Sequence, residues 1–262
     1  MTTRTFAGLA ADTRGVDDER APLVFLHGLT FDRSVWRPAL RELDVVDPGR
    51  RSVAFDLPGH GRSADLPSYR LPTIVARLHE AIEAAGVRAP VLVGHSVSAI
   101  VATVYAALRP TRGVVAVGQS LHVAPFASFL KRHAAEIEGS GFDEMWQRLW
   151  ATMKPHLLPP RMERQLAQSS RPRQDVAVGY WRDLLDRPLP DLTVWMSTRL
   201  GALRAARIPY HVVVGEQLES GYRDWLASQL PQATATVLPR SGHFPHVAYP
   251  RRVAEVVASF AT

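Results

Sequence analysis

The stretch Val91-Leu92-Val93-Gly94-His95-Ser96-Val97-Ser98-Ala99 decides the fold of this chain. It opens as a short, wholly apolar, β-branched run, as a strand buried on both faces does. From Val97 to Leu108 it continues as small and apolar residues ended by Pro110, the pattern of a buried helix. Between the two stands a serine with only small residues two positions to either side, Gly94 and Ser98. A strand that turns directly into a helix holds the turn residue in strained dihedrals and presses the flanking backbone together. Larger side chains at 94 and 98 would collide with that backbone. The turn lifts the Ser96 hydroxyl into the open and aims the helix N-terminus at it, where unpaired amides favour a developing negative charge.

Outward from this turn the chain alternates between two patterns. Short apolar runs at 23–27, 52–56, 113–117, 210–215 and 235–238 read as further buried strands beside 91–94. Between them lie amphipathic stretches. The spacing of Leu71, Ile74, Val75, Leu78 and Ile82 predicts a helix over 71–85, with Pro72 in its first turn and Gly86 as its stop. Helices are also expected over 222–230 and 250–260. Strands alternating with helices predict a parallel sheet covered on both faces.

The segment 121–201 breaks the alternation. It has no strand candidate and holds four of the six Trp, at 146, 150, 181 and 195. A stretch of that length between two strands is not a loop. It reads as an inserted helical cap, dividing the core into 1–120 and 202–262, with most of its aromatics forming the cap's own core.

Three more motifs sit at strand ends. In Phe25-Leu26-His27-Gly28-Leu29, Gly28 permits close backbone approach, so the Leu29 and Val97 amides become the expected oxyanion donors. The His27 side chain reads as a loop brace. Asp56-Leu57-Pro58-Gly59-His60-Gly61-Arg62-Ser63 reads as a shaped turn with a structural Asp56. Ser241-Gly242-His243-Phe244-Pro245-His246 follows the last strand, and His243 is the expected general base, since an imidazole accepts and returns a proton near neutral pH. His246 is the competitor.

Composition removes several function classes. With 262 residues and 46% apolar content, one domain carrying an insertion can bury a sizeable core. The absence of Cys excludes disulfides, thiolate nucleophiles and Cys-ligated zinc. No metal is expected, because the ten His are dispersed, and no dinucleotide cofactor, because no G-x-G-x-x-G opens a helix after a strand. The formal charge is +6, yet the basic residues are scattered, so a nucleic-acid partner is not expected. No apolar run approaches the ~18 residues of a membrane span and no leader pattern stands at the start, so a cytoplasmic location is expected. A homodimer stays open.

Taken in order, the His-Gly loop, the Asp-Leu-Pro-Gly-His-Gly-Arg-Ser segment, the serine turn, the cap position and the closing Gly-His-Phe-Pro-His resemble the α/β-hydrolase superfamily over nearly the whole chain. Gly-His-Ser-Val-Ser-Ala is also similar to the strigolactone and karrikin receptor hydrolases and their bacterial stress-signalling relative, over about six residues. The resemblance implies an α/β-hydrolase fold and a Ser–His–acid triad with Ser96 as nucleophile. The sequence departs from that pattern at the acid. Where the superfamily reads Gly-x-x-Asp, this chain reads Gly215-Glu216-Gln217-Leu218-Glu219, and after the strand that follows the serine it reads Val117-Gly118-Gln119-Ser120. Glu219 is the expected acid, with Glu216 or no acid at all as alternatives. The function implied is hydrolysis of a carboxylic ester or lactone of a bulky apolar substrate. Thioesters, amides and C–C bonds use the same constellation, and a ligand-sensing, non-hydrolytic protein is the alternative class.

Overall fold

The computed structural model describes residues 2–260. Its centre is β5 (Val91–His95), every residue of which is buried. Period-two alternation splits its side chains between two apolar layers: Leu92 packs into one, Val91 and Val93 into the other. β5 lies between β3 (Leu23–Leu26) and β6 (Gly113–Val117), parallel to both. β4 (Ser52–Phe55) extends the sheet beyond β3, and β7 (Tyr210–Val214) and β8 (Thr234–Val237) extend it beyond β6. All six strands fall where the apolar runs predict them.

Two strands lie outside that expectation. β1 (Thr2–Phe6) and β2 (Leu9–Arg14) form a hairpin that adds antiparallel to β4, giving an eight-stranded sheet in the order β1-β2-β4-β3-β5-β6-β7-β8. Its two-residue turn has positive φ at both Ala7 (45°) and Gly8 (81°), the twist that matches paired strands. β1 is polar and almost wholly exposed, so it carries no hydrophobic pattern to read.

Helices cover both faces. α1 (Arg37–Val46) packs on one side. α2 (Leu71–Ala84) lies on the other and buries Ile74, Leu78 and Ile82, each worth ~1.5–3 kcal/mol relative to exposure. α3 (Val97–Leu108) is the buried helix expected after Ser96. Between β6 and β7 run six helices: α4 (Ala124–Arg132), α5 (Ala134–Glu138), α6 (Phe142–Thr152), α7 (Pro160–Ser169), α8 (Gln174–Asp186) and α9 (Leu189–Ala205). α9 runs through Gly201, where the sequence places a boundary. A methyl group there would meet nothing within 4 Å, so Gly201 sits in an open helical position. α10 (Ser220–Gln229), α11 (Pro245–Ala248) and α12 (Pro250–Ala258) complete the chain. Among the described residues no helix is long and apolar enough to cross a membrane.

A buried ionic cluster joins the hairpin to the sheet. Arg33 lies 3.0 Å from Asp12 of β2 and pairs with Asp56 at the end of β4. Asp56 also accepts the Arg33 and Arg62 amides, both at 2.8 Å, so its oxygens are committed to structure. A charge removed from such a cluster strands its partners. Arg33→Met should therefore cost about 3–5 kcal/mol in urea unfolding, and a loss under 1 kcal/mol would show that the cluster is not integral to the fold.

Candidate active site

Ser96 has φ 57° and ψ −130°, a strained conformation for a residue with a side chain. The neighbouring sequence explains how it is held. A methyl group at Gly94 would lie 2.3 Å from the Ser98 carbonyl oxygen, which is why 94 must be glycine. A methyl group at Gly28 would lie 2.5 Å from His95 Nδ1 and 3.2 Å from Ser96 Cβ, so the His27–Gly28 loop rests directly on the turn. Ser98, fully buried, donates its hydroxyl to the His27 carbonyl and ties the two together. This tie is invisible in the sequence, where Ser98 reads only as a small residue. The Leu29 and Val97 amides donate to no backbone or side-chain acceptor, and both residues line the same cavity as Ser96.

The loops are braced by neutral histidines. His27 donates Nδ1–H to the Gly28 carbonyl (2.8 Å) and accepts the Leu57 amide at Nε2 (2.9 Å). His60 donates to the Pro58 carbonyl (2.9 Å) and accepts the Thr30 amide (3.1 Å). Burial pushes His27 down to about 4 and His60 to about 3. Both therefore serve as structural braces.

His243 enters the cavity from the loop after β8. Its amide donates to the Met153 carbonyl at the end of α6 (3.0 Å), and its carbonyl accepts Nε2–H of His95 (2.9 Å). The preceding Gly242 has φ 52°, and a methyl group there would lie 2.6 Å from the Met153 carbonyl oxygen. The histidine backbone is thus clasped between α6 and the serine turn. Its ring Nε2 is buried without a hydrogen-bond partner, and burial pushes the imidazole down to about 4. His246 lies elsewhere: fully buried, it is sandwiched between Trp36 (4.6 Å) and His95 (4.2 Å), and it does not line the cavity.

The acid expectation meets a different arrangement. Glu219 lines the cavity but is exposed, sits at the N-terminal end of α10 and makes no side-chain hydrogen bond, so the structure does not bring its carboxylate onto His243. Glu216 is paired with Lys154. Leu218, at the usual Asp position, is half-buried and packs against the core. Gly118 has φ 66°, and a methyl group there would lie 2.5 Å from the His243 carbonyl oxygen. A carboxylate grafted at 118 would displace the histidine loop. No carboxylate charge supports His243; burial is the cause of its depression.

The cavity measures about 590 Å³. Helices α4, α6, α8 and α9 furnish much of its wall, through Phe126, Trp146, Trp181 and Trp195 among others. Trp146 and Trp181 are stacked at 6.2 Å and nearly buried, so they are helical core and cavity wall at once. Trp195 is half-buried, with the Arg199 guanidinium 4.6 Å over its ring. Among the described residues no group of three or more His, Asp or Glu could hold a metal ion.

Residues 23–256 match the model of the alpha/beta hydrolase family. The chain belongs to this family. It is 28% identical over 249 residues to a 2-succinyl-6-hydroxy-2,4-cyclohexadiene-1-carboxylate synthase of Yersinia pseudotuberculosis, spanning 91% of this chain and 86% of that one. It is 34% identical over 131 residues to epoxide hydrolase B of Mycobacterium tuberculosis, spanning 48% and 35%. Among solved structures it is similar to an esterase of Thermogutta terrifontis (TM-score 0.75, 20% identity, 99% and 98% covered). It is also similar to a variant of AqdC, a protein that recognises and cleaves the ring of the Pseudomonas quinolone signal (TM-score 0.80, 20% identity, 99% and 98% covered). These structural likenesses establish the shared fold.

The depressed histidines set the acid limit of stability. His27, His60, His243 and His246 titrate near 3 to 4 in the fold, against about 6.5 in the unfolded chain. Below about 6.5 the unfolded state takes up protons that the folded state refuses, so stability falls with falling pH. The urea midpoint should be level above about pH 7 and drop steadily from about 6.5 to 4. An unchanged midpoint at pH 5 would contradict the neutral, buried assignment.

Proposed function

We propose that the protein is a serine hydrolase that cleaves a carboxylic ester or lactone of a bulky apolar substrate through an acyl-enzyme. The observation that carries this reading is the convergence of four groups on one cavity: Ser96 on its strained turn, the open Leu29 and Val97 amides, and His243. In the reaction Ser96 Oγ attacks the acyl carbonyl while His243 takes its proton. The Leu29 and Val97 amides hold the resulting oxyanion, and water then releases the acyl group. The depressed His243 is unprotonated at neutral pH and ready to accept.

The residue at the turn limits the chemistry. A serine that opened an epoxide would be left as an ether, which has no carbonyl for water to attack. Turnover through Ser96 therefore favours acyl substrates, in contrast to the activity named for the mycobacterial relative. The segment 121–201 acts as a cap, and the aromatic wall it provides suits a large apolar substrate. One observation favours a sensing role with little turnover instead: His243 bonds no carboxylate. Turnover of p-nitrophenyl acetate separates the two readings.

Ser96→Ala should lower hydrolysis of p-nitrophenyl acetate by about three orders of magnitude or more. It should also abolish labelling by a fluorophosphonate. Labelling of that variant at the wild-type rate would remove Ser96 from the mechanism. Trp195→Ala should reduce kcat/KM for a bulky naphthyl ester by about tenfold and for the acetate by less than about twofold. Equal effects on both esters would mean that the cap residues shape no substrate site.

A further inference from the structure

We infer that this protein acts on acyl donors with weakly basic leaving groups, namely aryl and enol esters, enol lactones and thioesters, and stalls on esters of simple alcohols. The inference rests on the proposed Ser96 mechanism and narrows its substrate class.

The argument begins with where the carboxylates stand. Three of them line the cavity: Asp183, Glu216 and Glu219. Asp183 accepts the Leu71 amide at 3.0 Å and pairs with Arg70. Glu216 is engaged by Lys154. Glu219 is exposed and its carboxylate makes no hydrogen bond. The second position from which a carboxylate could reach the histidine, Gly118, is filled by the His243 carbonyl. The nearest ring with a proton to share is His95, 4.9 Å from His243 between centroids, and its Nε2–H is already given to the His243 carbonyl. When His243 becomes an imidazolium, it does so in a buried site with no anion to hold it.

This asymmetry weighs on one half of each step. In acylation the Ser96 Oγ–carbon bond forms, the carbonyl pair moves to oxygen, and the Ser96 proton passes to His243. Collapse then breaks the bond to the leaving group, which departs with its electron pair. A phenolate or thiolate, whose conjugate acid lies near about 10 or about 8.5, leaves as the anion, and His243 gives the proton it took from Ser96 to solvent before water attacks the acyl-enzyme. An alkoxide, nearer to water's value of about 15.7, must receive its proton from His243 as it departs. That demands a lasting, correctly oriented imidazolium, which a carboxylate normally supplies.

Deacylation meets the same obstacle, because Ser96 itself leaves as an alkoxide when water attacks the acyl carbonyl. His243 must take the proton of that water and pass it to Ser96 Oγ. The two half-reactions therefore separate. Acylation by activated donors is fast, hydrolysis of the acyl-enzyme is slow, and the acyl-enzyme accumulates.

The test is stopped-flow acylation of the full chain with acetates of graded leaving group. Aryl acetates should give a burst near one phenol per Ser96, followed by a slow steady rate common to all of them. The burst rate should fall at least about a hundredfold from p-nitrophenyl to phenyl acetate. Ethyl acetate should be turned over at least about a hundredfold more slowly than phenyl acetate. Glu219→Gln should leave the burst rate within about threefold, whereas a fall of about a hundredfold would make Glu219 the acid and overturn the inference. A burst whose rate is insensitive to the leaving group would overturn it while leaving the Ser96 assignment standing. Neither burst nor fluorophosphonate labelling of Ser96 would overturn both.

Discussion

The site depends on one steric constraint: backbone from two strand ends must meet at the serine turn with no side chains between. Gly94 faces the Ser98 carbonyl, Gly28 faces His95 and Ser96, and the Ser98 hydroxyl closes the contact onto the His27 carbonyl. Parallel pairing of β3 with β5 delivers both loops to the same edge of the sheet, with Leu26 level with Gly94. From that contact follow the strained Ser96 backbone and the two open amides beside it. A side chain at either glycine would separate the hydroxyl from the donors it needs.

Around this contact the molecule uses imidazoles as neutral fixings. His27 and His60 each donate once and accept once, so each satisfies two loop backbones without carrying charge. His95 makes one such bond, from Nε2 to the His243 carbonyl. Burial suppresses their protonation, which keeps positive charge from collecting beside the oxyanion site. The clasp on His243 comes from the opposite direction, through the Met153 carbonyl at the end of α6. The helices over the cavity are thus joined to the candidate base by a backbone hydrogen bond.

Much of this was legible in the order of residues. Five of the core strands are apolar enough to declare themselves, because burial in the middle of the sheet requires it, whereas β8, read as a buried strand, is a partly exposed edge strand. The serine turn was legible for a related reason: its sterics demand small residues at fixed offsets, and spacing survives in a sequence. The β1–β2 hairpin was not legible, since its outer strand is polar, exposed and held by backbone bonds that any residues supply. α9 runs on past Gly201, a helical position with open space around it, to Ala205.

The sequence by itself determined the parallel-sheet class, the serine at the turn and the histidine after the last strand, because each follows from local pattern and offset. The tertiary structure alone decided which carboxylates reach that histidine. Gly215 is pressed against the histidine loop, where a methyl group would lie 2.1 Å from the Gly242 carbonyl oxygen. Beyond it Leu218 turns toward the core, while Glu216 meets Lys154 and Glu219 faces solvent. Whether a loop carboxylate meets an imidazole depends on the path of the backbone between them. That path is set by packing against α6 and the histidine loop, which the sequence of the loop does not encode.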